Sequence, residues 1–236
     1  MEKGYKNIVY FFGVIAAITF IGFYKKYFSL APDFPGLKNI HHFHALALTT
    51  WLTMLIVQPI LIANSKMTAH RVIGKFSYLL VPILFISMLL AYHNQYLRFV
   101  SEGKSELETL AFVFSPATDA IPFVVFYLLA IFNKRETAKH MRYMICTGIV
   151  VGGPGLARIF MTWINMDIFA AIGLMTLITL LVFVGLIIYD RVKKKQFGIN
   201  PFTIAFIIWL IPNILIIFFP NTTLWQSIAK WLVTTI

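Results

Sequence analysis

Six histidines, one aspartate and one arginine are the residues in this chain whose types and positions could do chemistry. His41, His42 and His44 form a tight group, His93 stands alone further on, and His70 and His140 each sit beside an arginine. On a helix, His41 and His44 share a face, because residues three apart are neighbours there. Neutral imidazole is the commonest protein ligand for transition metals and for haem iron. Three histidines that met would hold a zinc, iron or copper ion, and two that faced each other would ligate a haem. Asp119 and Arg158 are ionisable groups inside apolar stretches. At such a depth an ion is costly, and is a functional hypothesis by default.

The elements that must position these residues follow from composition. Of the 236 residues, 59% are hydrophobic and only 12% are charged, too few charges to cover the surface of a soluble domain. The apolar stretches predict seven transmembrane helices at about 7–24, 41–64, 73–97, 108–132, 141–163, 166–189 and 201–219, each near the ~20 residues that a span needs. The expected fold is an all-α integral membrane bundle, a single domain over residues 1–236. After Pro220, Asn221-Thr222-Thr223 can cap a further short helix. Its Leu224, Trp225, Ile228, Trp231 and Leu232 fall at helical spacing opposite Gln226, Ser227 and Lys230, the pattern of a helix lying in the membrane interface.

The formal charge of +11 is carried by short clusters between spans, the pattern of an orientation signal and not of a nucleic-acid surface. The larger share falls on one side: Lys3, Lys6, Lys66, Arg71, Lys75, Lys134, Arg135, Lys139, Arg142, Arg191 and Lys193 to Lys195. That places the N-terminus in the cytoplasm and the C-terminus outside, with a bacterial inner membrane as the expected location. The one cysteine, Cys146, excludes an internal disulfide. The seventh span has no lysine, which argues against a retinal Schiff base. The sixth carries no charge between Asp167 and Asp190 and is expected to face lipid.

With this topology His41, His44 and His93 lie at the outer face. The second and third spans form a hairpin, so His93 is expected near His44. His44, Ala47, Trp51, Met54 and Gln58 make a stripe directed to the bundle interior. The metal ligands expected are His41, His44 and His93; His44, His93 and Arg158 are the haem-binding candidates, with Arg158 on a propionate. Asp119 is read within a continuous helix about 12–16 Å from its outer end, sharing a face with Ser115, Thr118 and Pro122. It is the candidate catalytic residue, as ligand, proton relay or substrate contact, and a salt bridge to Arg158 is the purely structural alternative. Asn213, beside Pro212, lies near the same depth. His70, Arg71, His140 and Arg142 are expected to organise the cytoplasmic rim or bind anionic lipid.

Certain motifs carry a resemblance. His41-x-x-His44-Ala45, Trp51 and Gln58-Pro59 precede His70-Arg71-Val72-Ile73-Gly74-Lys75 and Lys139-His140-Met141-Arg142-Tyr143-Met144. Over residues 40 to 160 the chain resembles a group of bacterial multi-pass membrane proteins that share His-Arg-x-x-Gly and His-x-Arg-x-Met runs. More distantly it is similar to the ascorbate-reducible transmembrane cytochromes b. That likeness implies two haems, one between His44 and His93 and one between His70 and His140. His70 and His93, however, stand 23 residues apart, about 34 Å of helix, more than the ~30 Å hydrocarbon core. The first expectation is a membrane-embedded haem- or metal-binding oxidoreductase, with haem b or iron, copper or zinc near the outer leaflet and a small lipophilic substrate or quinone. The alternatives are a zinc-dependent intramembrane hydrolase and a non-enzymatic transporter or haem/copper assembly factor.

Overall fold

The computed structural model describes residues 5–194 and 200–235. Seven helical segments are long and apolar enough to cross a membrane. The spans are α1 (Tyr5–Tyr24), α2 (Asn39–Ala63), α3 (Met67–Ser101), a broken fourth made of α4 (Glu106–Phe112) and α5 (Ala120–Phe132), then α6 (Thr137–Trp163), α7 (Ile168–Lys194) and α8 (Pro201–Leu215). A last helix, α9 (Thr223–Thr235), follows, with the Thr222 hydroxyl accepting from the Trp225 N–H as its cap. No strand occurs among the described residues.

Five spans close into a ring. α1 packs on α2 and α6, α2 on α3, α3 on α4 and α5, and α5 on α6. α7 and α8 lie outside it, against α6 and each other, which fits the expectation that the uncharged sixth span faces lipid. The tightest wall is α1 on α6. A Cβ placed on Gly155 would stand 2.7 Å from the Thr19 Cα, and one on Gly22 would collide with the Gly155 carbonyl. Small residues let helices approach closely where no hydrophobic effect drives them together. At the ring's middle Trp51, Leu84 and Phe123 are fully buried, and Trp51 meets Phe123 and Tyr127 edge to face.

The fourth span departs from the continuous helix expected. Pro116 and Pro122 each lack an N–H, so an unbroken helix would lose two hydrogen bonds. The chain leaves the helix at Val113, makes a 3₁₀ turn over Ser115–Ala117, and restarts at Ala120. Asp119 caps the restart, its Oδ1 accepting from the Ala120 N–H. It therefore shares no helix face with Ser115, Thr118 and Pro122.

α3 is longer than expected at both ends, and α6 begins sooner. His70, His93 and His140 consequently lie inside helices and not at their edges. Arg142 is not a rim charge. It is 3% exposed and makes a two-pronged ion pair with Asp190 of α7, Nε to Oδ2 at 2.6 Å and Nη2 to Oδ1 at 3.0 Å. Of the basic residues that set the expected orientation, Lys3 and Lys195 lie outside the described residues, as do the side chains of Lys6, Lys193 and Lys194.

Candidate functional site

The ring has two polar levels. The upper end is defined here as the one holding the C-terminus of α1; the lower end holds its N-terminus. At the upper level α2 contributes His44, α3 Ser87 and Tyr92, the break in the fourth span Asp119, and α6 Arg158. His44 Nδ1 is 3.0 Å from the Ser87 hydroxyl. The Tyr92 hydroxyl donates to Asp119 Oδ2. The Arg158 guanidinium lies 4.2 Å from the centre of the Phe23 ring, and its Nη1 donates to the Pro154 carbonyl at 3.1 Å. Its charge acts on His44, Tyr92 and Asp119. No carboxylate stands within ion-pair distance of it among the described residues. The expected Asp119–Arg158 salt bridge is thus replaced by an Asp119–Tyr92 hydrogen bond with Arg158 nearby.

His44, Tyr92, Asp119 and Arg158 are crowded by the bundle, yet each keeps accessible surface. Together these four side chains are the candidate lining of a recess at this level of the ring. An arginine presents more N–H donors than one carbonyl can use, and a carboxylate held by a tyrosine keeps acceptor capacity. His44, held through Nδ1, leaves Nε2 uncommitted. The candidate site therefore combines a cation, an imidazole and a tyrosine–carboxylate pair at one level of the ring.

The three histidines expected to share a metal are dispersed. His41 accepts the Lys38 N–H on Nδ1 at 2.8 Å and turns Nε2 to the Asn94 amide at 3.3 Å. His93 stacks on Tyr96. At the level of His44, α3 presents Ser87, six residues or about 9 Å of helix before His93. Among the described residues no group of three or more His, Cys, Asp or Glu stands together to hold a metal ion. His42, in the first turn of α2, holds the connection after α1, bonded to the Tyr27 hydroxyl at 2.8 Å and packed on Phe34.

At the lower level, His140 donates from Nδ1 to the Ala130 carbonyl at 2.8 Å. Gln58, with its amide oriented to satisfy its neighbours, donates to the carbonyl and Nδ1 of His70 and accepts the Gly74 N–H. Just above, the Ser77 and Tyr127 hydroxyls pair at 2.8 Å. The two levels are divided by the apolar layer of Trp51, Leu84 and Phe123, about 15 Å of helix from Ser77 to Ser87. Within that layer the Trp51 indole N–H is buried without a partner.

Asn213 takes no part. It donates to the Trp209 carbonyl at 2.8 Å within α8, outside the ring, mending backbone beside Pro212. Tyr92, Ser87 and Asp190 were not singled out in the sequence, since a lone tyrosine, serine or span-end aspartate carries no pattern. The two prolines around Asp119, with Thr118 between them and Ser115 just before, were the available signal for its position as a cap. No protein-family model, curated protein or solved structure matches this chain.

Proposed function

We propose that this chain is a membrane-embedded binding protein for a small lipophilic molecule with a carbonyl or anionic oxygen, of the quinone class, and that it serves a redox reaction. The observation that carries the reading is Arg158. It is a guanidinium inside a membrane-spanning helix, with one carbonyl acceptor and, among the described residues, no carboxylate within ion-pair distance, on the same level of the ring as His44 and the Tyr92–Asp119 pair. Buried charge of this kind is retained where it recognises something. Arg158 would take one oxygen of the ligand, and the Tyr92–Asp119 pair would hold or deliver a proton beside it. In the proposed orientation the N-terminus is cytoplasmic and the recess lies in the outer half of a bacterial inner membrane.

The fit to a cofactor is uneven. A three-histidine zinc or copper centre does not fit, because the donors do not gather, so the hydrolase reading loses its support. A haem needs only axial imidazoles. His44 and His140 are each held through Nδ1 and free at Nε2, the arrangement that orients a ligating histidine. A haem bound there would supply one-electron transfer.

The broken fourth span favours a second reading, a transporter that moves the same ligand without chemistry. Interrupted helices at mid-membrane are a common transporter device.

The test uses purified protein in lipid nanodiscs. An absorption spectrum reports haem, and titration with decylubiquinone, followed by quenching of tryptophan fluorescence, reports the recess. Wild type is expected to bind saturably. Arg158→Gln should weaken binding by tenfold or more, because a hydrogen bond to a charged group is worth about 1.5–3 kcal/mol. Equal affinity in both proteins overturns the role given to Arg158 and the reading with it. Passage of the bound quinone from one side of the bilayer to the other in proteoliposomes is the transporter's signature.

A further inference from the structure

The walls of the ring are unequal. α1–α6, α2–α3, α5–α6 and α1–α2 pack along much of their lengths, whereas α3 meets α4 and α5 sparsely. In the lower half that seam is pinned by the Ser77–Tyr127 hydroxyl pair and by Lys134 on the Tyr78 hydroxyl. In the upper half, among the described residues, the polar contact across it is the Tyr92–Asp119 hydrogen bond. Beside it, the Phe112 ring of α4 touches Tyr92 and Phe99 of α3. The seam therefore reaches the recess itself, since Tyr92 and Asp119 are both its lining and the bond that spans the gap.

The far side of α4 is held differently. The Trp225 indole of α9 donates to the Leu110 carbonyl at 3.0 Å, Gln226 donates to the Leu107 carbonyl at 3.3 Å, and Lys230 pairs with Glu106 at 2.8 Å. α4 is thus tied to α9, separated from α5 by the turn at Val113–Asp119, and joined to α3 by the ring contacts of Phe112, while the hydrogen bond to Tyr92 comes from Asp119 at the end of that turn. Helix interruptions of this kind absorb rigid-body motion.

The aqueous end of the ring is occupied. Lys38 bonds the Asn94 carbonyl oxygen at 3.0 Å while Asn94 faces His41, one turn above His44, and Tyr27, His42 and Phe34 pack beside them. This end of the ring is thus covered by side chains, whereas the upper half of the seam is held by one hydrogen bond and ring contacts.

We propose that the recess exchanges its ligand with the lipid phase through the seam between α3 and α4/α5, and that the Tyr92–Asp119 hydrogen bond is the latch that α4 and α9 release together. This rests on the quinone-class reading above. It adds that the ligand is one that partitions into the bilayer, and that the same two residues that contact it also govern its entry.

The test fastens the seam. Phe99→Cys and Phe112→Cys are combined, and a short thiol-reactive cross-linker joins α3 to α4. The only native cysteine, Cys146, is fully buried, and each single-cysteine variant with the same reagent is the control. Decylubiquinone uptake is followed by stopped-flow fluorescence in nanodiscs. Uptake by the cross-linked pair should slow by tenfold or more relative to the same pair unlinked, and the unlinked pair and single-cysteine controls, which lack one or both rings of the seam, should exchange at least as fast as wild type. Ligand loaded before cross-linking should be retained through washing. Equal rates with and without the link overturn the portal and leave the binding reading intact. Absence of binding in the unlinked protein overturns both. Should the double variant not fold, Tyr92→Phe tests the latch directly. Faster exchange in both directions supports it, and unchanged or slower exchange refutes it.

Discussion

Replacing Asp190 with asparagine strips Arg142 of its counter-charge while keeping the shape of the side chain. Both partners are only 3% exposed, and the guanidinium meets the carboxylate through two bonds of 2.6 and 3.0 Å. Water cannot take the place of the lost charge, so Arg142 keeps only the Ala138 carbonyl and the face of Phe202. Breaking a buried pair in this way costs about 3–5 kcal/mol. At ~1.4 kcal/mol per decade that is a loss of about two to three and a half powers of ten in the folded-to-unfolded ratio. Removing both charges should recover most of it, since a packed apolar pair often matches a buried ionic one. The assay is reversible unfolding in mixed micelles, read by tryptophan fluorescence, for Asp190→Asn, Arg142→Met, and Arg142→Met with Asp190→Leu. The double variant should lie within about 1–2 kcal/mol of wild type and bind decylubiquinone as wild type does, because the pair sits at the opposite end of the ring from Arg158. Single-variant costs that simply add in the double variant would refute the argument, since independent sites add and coupled ones do not.

Asp119→Asn should fold normally, because asparagine caps a helix as well as aspartate does, and should bind decylubiquinone more weakly; full affinity in a titration would remove Asp119 from the recess. Gly22→Ala pushes a methyl group against the Gly155 carbonyl and should cost about 1–3 kcal/mol through overpacking. Gly13→Ala, where the space is open, is the control in the same unfolding assay, and equal effects would mean that the α1–α6 approach is not tight. A reporter active only in the cytoplasm, fused after α9, should stay silent, whereas a strong signal would reverse the proposed orientation.

The span count was legible in the sequence because it depends on composition alone: seven apolar runs of sufficient length have no other way to satisfy their backbone than as helices in lipid. The lack of charge between Asp167 and Asp190 likewise pointed to a peripheral sixth span, and α7 packs outside the ring. Arg158 and Asp119 were legible as exceptional residues, because their charge contradicts their surroundings wherever the chain folds. Their relation was not legible. Whether Asp119 meets Arg158 or Tyr92 depends on the rotation of α3 and on the break at Val113–Asp119, and rotation is set by packing between helices distant in sequence. The same holds for His44, which finds Ser87 where His93 was expected. A hairpin fixes which helices are neighbours, but the register between them depends on how far α3 extends past its apolar core, and its polar ends carry no strong boundary signal. Arg142 was read as a rim charge because its neighbours Lys139 and His140 are basic; only the packing of α7 on α6 brings Asp190 across 48 positions to neutralise it. Charge and hydropathy are properties of a residue and can be read from its type. A site is a property of distances between residues, and in this protein those distances were decided by the closure of five spans into a ring.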